Sequence, residues 1–486
     1  MTSIVWFRRD LRLSDNPALY HAASAGKVIP VFIHEPKAEA PWAAGSASRW
    51  WLHHSLTSLS RDIRDRGNSL IIRQGDTLET LIELCQQTGA DKVYWNHHYE
   101  PQAINLESKL KTVLAKHGIQ AQSFNSQLLY NPDTILNKSG KPYRVFGAFW
   151  KTCQQRGLPS TTLSMPDNMA TSDKTLPSLT PEQLGLLPTK PWDSGLKTTW
   201  QVGEAHAHNL LDEFCEDRLH TYSLSRDYPA EPATSRLAAP LHFGEISARQ
   251  VVAKIQGYAA CNTQPGLLNA AEHFIRELGW REFAHYILFH FPETICKPFD
   301  QRYSAFPYNK DPHILSAWQK GQTGFPIVDA GMRELWHTGS MHNRVRMIVA
   351  SLLTKHAQIH WLEGARWFWD TLIDADLASN IMNWQWVAGC GVDAAPYFRI
   401  FNPISQSQRF DPVGRYLRQW LPELASLPDK HIHAPWQAPT AVLAKAGITL
   451  GETYPLPVLD LKQGRAQALS SYRRYIMQRQ DTTTTS

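Results

Sequence analysis

Short apolar runs alternate with amphipathic ones along the first part of the chain. IVWF (Ile4–Phe7), VIPVFI (Val28–Ile33), SLIIRQ (Ser69–Gln74), KVYWN (Lys92–Asn96) and the stretch Gln120–Phe124 have the length and the β-branched, aromatic content of strands. Between them, Asn16–Ala25, Ser46–Asp65, Thr77–Thr88 and Gln102–His117 carry apolar residues at helical spacing, with Asp15, Ser46 and Asp76 as candidate N-caps. Strands that alternate with helices predict a parallel sheet covered on both faces. Residues 1–131 are therefore assigned to a Rossmann-like α/β domain.

Residues 132–203 are rich in Pro, Ser and Thr and read as a long interdomain linker over the surface, with a short helix near Val145–Arg156. Beyond Glu204 the strand signals fade. Helical patterns take over at Ala270–His290, Pro326–His337, Asn343–Gln358, Gly364–Leu372 and Pro412–Leu424, so residues 204–486 are predicted to be almost all α. The α/β part does not carry the dinucleotide fingerprint. RRDLRLSDN follows the first strand where GxGxxG would stand, and the backbone there lacks the glycines needed to approach a pyrophosphate closely.

Composition narrows the class. A chain of 486 residues exceeds one ordinary core and predicts two or three domains, and 43% hydrophobic with 19% charged residues is a soluble globular balance. The formal charge of +5 is common in proteins without a polyanionic partner and decides nothing alone. The 18 tryptophans serve either several large cores or stacking and redox work. The six cysteines, Cys85, Cys153, Cys215, Cys261, Cys296 and Cys390, form no CxxC pair, so no zinc or iron–sulfur centre is expected; reduced thiols fit a cytoplasmic protein. The N-terminus has too short an apolar run for a signal peptide, and no stretch approaches the ~18 apolar residues of a membrane span. The polar tail DTTTTS reads as disordered.

Candidate chemistry collects in four segments of the helical part. TSR (Thr234–Arg236) precedes an apolar helix start, which is either an anion site or an ordinary N-cap. In ELGWREF (Glu277–Phe283), Glu277 and Arg281 stand four apart and can pair, which leaves Trp280 among charges at a pocket lip. In MHNRVRM (Met341–Met347), Asn343 and Met347 share one helix face, as do His342 and Arg346; Met347 is either a core filler or a contact residue. In Asp374–Pro403, Asp374 and Asp376 ask for cationic or N–H partners if buried, with Arg346 a candidate. Together these groups suit a large, flat, phosphate-bearing heteroaromatic.

WFRRDLRLSDNPAL (Trp6–Leu19), TSRL, ELGWREF, GFPIVDAGMREL (Gly324–Leu335), MHNRVRM and WQWVAG…DAAPYFRIFNP resemble the photolyase/cryptochrome family over nearly the whole chain. The resemblance implies an α/β antenna domain, a linker and a helical domain that holds FAD in a U shape. By resemblance Tyr222, Thr234, Ser235, Arg236 and Leu237 hold its phosphates and ribose. Arg346 and Asp374 pair beside the isoalloxazine, Asp376 meets its pyrimidine edge and Asn380 faces N5. Trp384 and Trp361 match the inner members of an electron-transfer chain. Its outer member, usually Trp, is Tyr308 here, with Trp336 or Trp369 as other routes. Glu277, Trp280, Asn343, Met347 and Trp386 line the hole that receives a flipped-out pyrimidine dimer, and Arg226, Arg344 and Arg399 grip the strand's phosphates.

The activity implied is light-driven splitting of cyclobutane pyrimidine dimers by reduced FADH⁻, and the pattern is most like the bacterial repair enzymes. Members that repair the (6-4) photoproduct carry His where Met347 stands; Asn380 rather than Asp, and no long extension after Met477, speak against a photosensor, the second reading. A third reading, a Trp-rich nucleic-acid binder without flavin, predicts a colourless protein. The antenna is expected to be methenyltetrahydrofolate, with 8-hydroxy-5-deazaflavin the alternative; Glu100, Cys296 and Lys297 are the candidate contacts. The expected partner is UV-damaged DNA, met by a cytoplasmic monomer. Ser340 departs from the Trp usual before MHNR.

Overall fold

The structure, a computed structural model, describes residues 2–167, 169–171 and 175–477; the tail DTTTTS lies outside the described residues. Contacts divide the chain into two units. The first comprises Met1–Ser223, Thr234–Pro292 and Ile373–Ala378; the second comprises Leu224–Ala233, Glu293–Leu372 and Ser379–Ser486.

The first unit is built on β1 (Thr2–Phe7), β2 (Lys27–His34), β3 (Ile71–Gln74), β4 (Lys92–Asn96) and β5 (Gln120–Phe124), all parallel, in the order β3-β2-β1-β4-β5. Four helices cross between strands: α1 (Pro17–Ala25), α2 (Ser46–Arg64), α3 (Thr77–Thr88) and α4 (Pro101–Lys116). The strand period of two explains why the runs are apolar throughout. Val5, Phe7, Val28 and Phe32 pack with Trp50 and Leu56 of α2 on one face. Ile4, Trp6, Ile29 and Val31 pack with Leu84 of α3 and Leu110 of α4 on the other.

Capping departs from the sequence reading at two helices. Asp76 caps α3 as expected, accepting the Glu79 N–H at 2.9 Å. Asn16, not Asp15, caps α1, its Oδ1 accepting the Leu19 N–H at 3.2 Å. Asp15 sits at a positive φ of 46° and uses its carboxylate on the Leu163 N–H (3.1 Å) and Ser247 Oγ (2.5 Å). Ser46 is the first helical residue of α2, after an extended Gly45 without a side-chain cap.

RRDLRLSDN forms a polar knot at the end of β1. Asn96 Nδ2 donates to Asp10 Oδ2 at 2.5 Å and to Asn16 Oδ1 at 2.8 Å. Fully buried Arg12 donates to the carbonyls of Gly244 (2.8 Å) and Asp15 (2.7 Å). Gly244 has φ 68°, and a Cβ there would lie 2.3 Å from the Arg9 carbonyl oxygen, so only glycine fits.

Within the stretch read as linker, the short helix expected near Val145–Arg156 forms at Phe146–Gln155. Helix α5 (Phe146–Gln155) buries Phe146, Phe149, Trp150 and Cys153, and packs on α6 (Leu267–His290). Gly279 makes this possible, since a Cβ there would lie 2.6 Å from Trp150 Cε3. Tyr286 of α6 accepts the Tyr143 N–H and donates to the Ile135 carbonyl, each at 2.8 Å.

The second unit is helical. It includes α7 (Pro326–Thr338), α8 (Asn343–Ser351), α9 (Trp361–Thr371), α10 (Leu377–Ala388, whose first two residues belong to the first unit) and α11 (Leu461–Tyr472). The helix expected over Asn343–Gln358 is α8, continued by a π-helical turn at Leu352–His356. The one expected over Pro412–Leu424 is broken: a left-handed Gly414 starts Arg415–Trp420, and Pro422 opens a separate turn. In GFPIVDAGMREL, buried Asp329 accepts from Thr323 N–H (2.7 Å), Thr323 Oγ1 (2.6 Å), Gly324 N–H (3.0 Å) and the Tyr454 hydroxyl (2.8 Å). The motif thus fixes the turn that starts α7.

Candidate functional site

In the first unit the predicted residues lie on α6, around TSR and at Asp376. On α6, Trp280 is half-buried and stacks on Phe146 with centroids 3.6 Å apart and planes 12° apart. Glu277, half-exposed, lies one turn before it. Arg281, read as a helix partner of Glu277, donates to the Gln127 carbonyl at 3.0 Å and lies 3.6 Å from Glu282. Glu282, on the buried side of α6, accepts the Leu129 N–H at 2.8 Å; burial pushes its carboxyl up to about 7.

Asp376 is held by two histidines that the sequence did not single out. His285 Nε2 of α6 lies 3.1 Å from Asp376 Oδ2, and His242 Nδ1 lies 3.7 Å from the same oxygen. Burial alone would raise this carboxyl, but the interactions with His285 and His242 outweigh it and hold Asp376 well below the usual range. Burial pushes His242 down, so this ring stands neutral beside the carboxylate. A buried Asp demands such partners, yet nothing in the sequence selects two of 21 histidines.

Around TSR the arrangement is backbone-led. The Thr234 carbonyl accepts from Arg218 Nη1 at 3.2 Å, Ser235 Oγ accepts the Leu237 N–H at 3.4 Å, and Leu237 is buried. Arg236 has a left-handed φ of 59°; its guanidinium lies 4.1 Å from the Trp200 ring and donates to the Thr199 carbonyl at 2.9 Å. The helix that follows, Ala238–Phe243, has only six residues. Tyr222 is buried, edge-on to Phe214 and Phe274. Glu100 is also buried in this unit, engaged by Arg9.

In the second unit, His342 caps α8, its Nδ1 accepting the Arg344 N–H at 3.2 Å. Asn343 is exposed, and Met347 and Arg346 are half-buried. Arg346 Nε donates to the Met341 carbonyl at 2.7 Å, and Arg344 pairs with Asp227 at 2.7 Å while lying over the Phe410 ring at 4.5 Å. Arg226 is half-buried; Arg399 is exposed, 5.7 Å from the Phe401 ring. Asp374, in the first unit, is half-buried. Ser340 closes a turn, its N–H bonded to Thr338 Oγ1 at 3.1 Å.

Helices α9 and α10 carry Trp361 and Trp384, two of the electron-transfer candidates. Asn380 Nδ2 donates to the Ala365 carbonyl at 2.9 Å. Trp384, 3% exposed, packs where Gly364 leaves room, edge-on to Phe368 at 5.0 Å. Trp361, fully buried, begins α9. His360 stacks on it at 5.5 Å, and Tyr308 lies 4.4 Å from His360, so Tyr308 meets Trp361 through an imidazole. Burial pushes His360 down to about 4. Trp336, 55% exposed, stacks on Trp367 at 6.1 Å.

The NWQW run divides by direction. Residues two apart on a helix point about 200° apart, and Trp384 is buried while Trp386 is half-buried. Between them, buried Gln385 donates to the carbonyls of Thr294 (2.8 Å) and Lys297 (3.0 Å) and accepts the Phe299 N–H at 2.8 Å. The sequence reading missed this role; it fixes the loop that carries exposed Cys296 and Lys297.

Taken each within its own unit, Asn380 and Asp376 offer acceptors of the kind a flavin's N–H groups need. Among the described residues Asn380 Oδ1 accepts no hydrogen bond, because the amide's nitrogen side is the one used on Ala365. An oriented carboxamide oxygen is the acceptor that a flavin N5–H requires. Asp376, kept ionised, is an acceptor for the N–H of a pyrimidine edge.

Residues 3–167 match the sequence family described as DNA photolyase, and residues 274–474 match that described as FAD binding domain of DNA photolyase. The chain is 46% identical over 474 residues to a deoxyribodipyrimidine photo-lyase of Agrobacterium fabrum, covering 96% of this chain and 97% of the relative. It is 40% identical to Cryptochrome-2 of Arabidopsis thaliana, over 97% of this chain and 79% of that protein. A crystal structure of a bacterial class III photolyase from Agrobacterium tumefaciens superposes with a TM-score of 0.93 at 45% identity, over 98% of this chain and 97% of that one. A parallel-sheet module and a helical FAD-binding domain define the class of flavoprotein. The chain belongs to the photolyase/cryptochrome family.

Proposed function

We propose that this protein repairs UV-damaged DNA by splitting cyclobutane pyrimidine dimers under blue or near-ultraviolet light. The observation that carries the reading is its 46% identity, over almost the full length of both chains, to a deoxyribodipyrimidine photo-lyase. When bound in its reduced form, FAD supplies the excited electron that opens the cyclobutane ring and takes it back afterwards.

The chain's own residues position and insulate. Tyr222, Thr234, Ser235, Arg236 and Leu237 hold the phosphates and ribose; the backbone turn at Arg236 supports this, while its guanidinium, engaged on Trp200 and Thr199, leaves the main chain as its contribution. Arg346, Asp374, Asp376 and Asn380 orient the ring system, Asn380 by accepting at N5 and Asp376 at the pyrimidine edge. Trp384, Trp361 and Tyr308 relay electrons that keep the cofactor reduced. An electron leaving Tyr308 must be followed by its proton. His360 Nδ1 already accepts the Leu362 N–H at 3.1 Å, which puts the neutral ring's proton on Nε2 and disfavours it as that proton's acceptor. The outer step is therefore the slow one.

Glu277, Trp280, Asn343, Met347 and Trp386 receive the dimer. Extruding a lesion that already pairs poorly costs less than extruding a sound base. Arg226, Arg344 and Arg399 bind the strand's phosphates, and Arg344 arrives pre-oriented by Asp227. Methenyltetrahydrofolate is the proposed antenna, near Cys296 and Lys297, with a deazaflavin the alternative. Glu100, buried and committed to Arg9, is the weaker of the three proposed contacts. We place the protein in the cytoplasm as a monomer, in keeping with its likeness to a bacterial photolyase.

The test is an absorption spectrum of the purified protein followed by illumination with irradiated DNA. A yellow protein that removes dimers only in light meets the expectation. Loss of (6-4) photoproducts instead would reassign the substrate. A flavin spectrum without repair would favour a photosensor, the reading that 40% identity to a plant cryptochrome makes the second choice.

A further inference from the structure

We propose that Phe146 is a positioning residue for lesion recognition: its ring backs Trp280 and fixes the plane on which the flipped-out dimer rests. The inference rests on the reading above that Trp280 meets the dimer, and adds a residue from the stretch that the sequence presents as linker.

The geometry is a pile of near-parallel rings. Trp280 lies 3.6 Å from Phe146 at 12°, and Phe146 lies 6.3 Å from Trp150 at 10°. Phe283 meets both Phe146 (5.8 Å, 65°) and Trp280 (6.1 Å, 72°) edge-on and closes the side. Phe146 is buried whereas Trp280 is half-buried, so the pile runs from the core to the surface and ends on an indole. Phe146 is thus the buried neighbour of a partly exposed indole. Helix α5 cannot yield easily, because the Tyr130 hydroxyl lies within hydrogen-bond reach of the carbonyls of Cys153 (2.8 Å) and Gly157 (2.6 Å) at its end and donates its one proton between them.

An indole turns about two side-chain torsions. Aromatic stacking of this kind is worth about 0.5–1.5 kcal/mol, which is a factor of about 2 to 10 in a binding constant. Without the backing ring, Trp280 samples other orientations and a pyrimidine dimer must order it on arrival. Undamaged duplex, held through its phosphates, does not use this surface.

The experiment compares flavin-loaded wild type, Phe146→Leu and Phe146→Tyr in the dark, against one oligonucleotide with and without a single cyclobutane dimer. F146L should lower the preference for the dimer about 2- to 10-fold while leaving affinity for undamaged DNA and flavin content unchanged; F146Y, which keeps the ring, should restore the preference. An unchanged preference in F146L, or an equal loss in F146Y, overturns the proposal. Adding F146L to Trp280→Ala separates positioning from general damage: no further loss supports the proposal, and a full additional loss overturns it. If F146L does not retain flavin, the same comparison is made with Phe146→Met, under the same two outcomes. Wild type without any preference for the dimer would instead remove the functional reading itself.

Discussion

A Cβ on Gly364 would lie 2.0 Å from Cη2 of Trp384. The indole of α10 therefore occupies the place that a side chain on α9 would take. One residue on, Ala365 accepts the Asn380 amide, so adjacent residues of α9 meet residues one turn apart on α10, and the two contacts lock the helices that carry Trp361 and Trp384.

Gly364→Ala should destabilise the protein by about 1–3 kcal/mol through overpacking and should slow light-driven reduction of the bound flavin, because Trp384 must move. Thermal unfolding and the bleaching of the flavin band under illumination with an added reductant measure the two effects. Normal values for both would mean that the helices separate freely.

Trp384→Phe should retain flavin yet show a sharp fall in the same bleaching rate, since a phenyl ring of similar shape is far harder to oxidise. Tyr308→Phe should produce a smaller fall, because Tyr308 meets His360, which in turn stacks on Trp361. An unaltered rate in Trp384→Phe would exclude this path.

Glu282 supplies a pH signature. Its folded-state value lies above its unfolded one, so its contribution to stability is greatest below about 4.5 and is lost as pH rises through about 7. Glu282→Gln does not titrate and keeps an oxygen for the Leu129 N–H. Relative to wild type it should gain stability over that window, by up to about 3 kcal/mol at pH 8, as read by urea unfolding at several pH values. A difference that does not vary with pH would show that the carboxyl titrates normally.

Arg399→Ala should weaken binding to damaged and undamaged DNA alike and reduce the slope of log affinity against log salt by about 1. Fluorescence anisotropy over a salt series gives both numbers. A loss confined to damaged DNA would move Arg399 from the phosphates to the lesion.

The α/β sheet was legible because buried parallel strands are short, apolar and separated by helices: Lys92–Asn96 and Gln120–Phe124 match the predicted bounds. Helix ends were less so, because Asn16 and Asp15 are equally good cap residues by type and only tertiary demand from Ser247 and Leu163 separates them. At the site, motif residues could be named from their resemblance, but their supports could not. His242, His285 and Gln385 act across long separations in sequence, where periodicity carries no information. The helix that carries Phe146 was legible near Val145–Arg156, but its stacking on Trp280, more than 130 residues away, was not.

That packing constrains how the protein can be taken apart. Tyr286 of α6 is tied to residues 135 and 143, Glu282 to residue 129, and Gly279 to Trp150. A fragment started at Glu204, the obvious place to cut from the sequence, would strip α6 of these neighbours and leave a hydrophobic flank in water. Minimal versions or chimaeras of this protein should exchange residues 128–157 together with α6 as a single cassette.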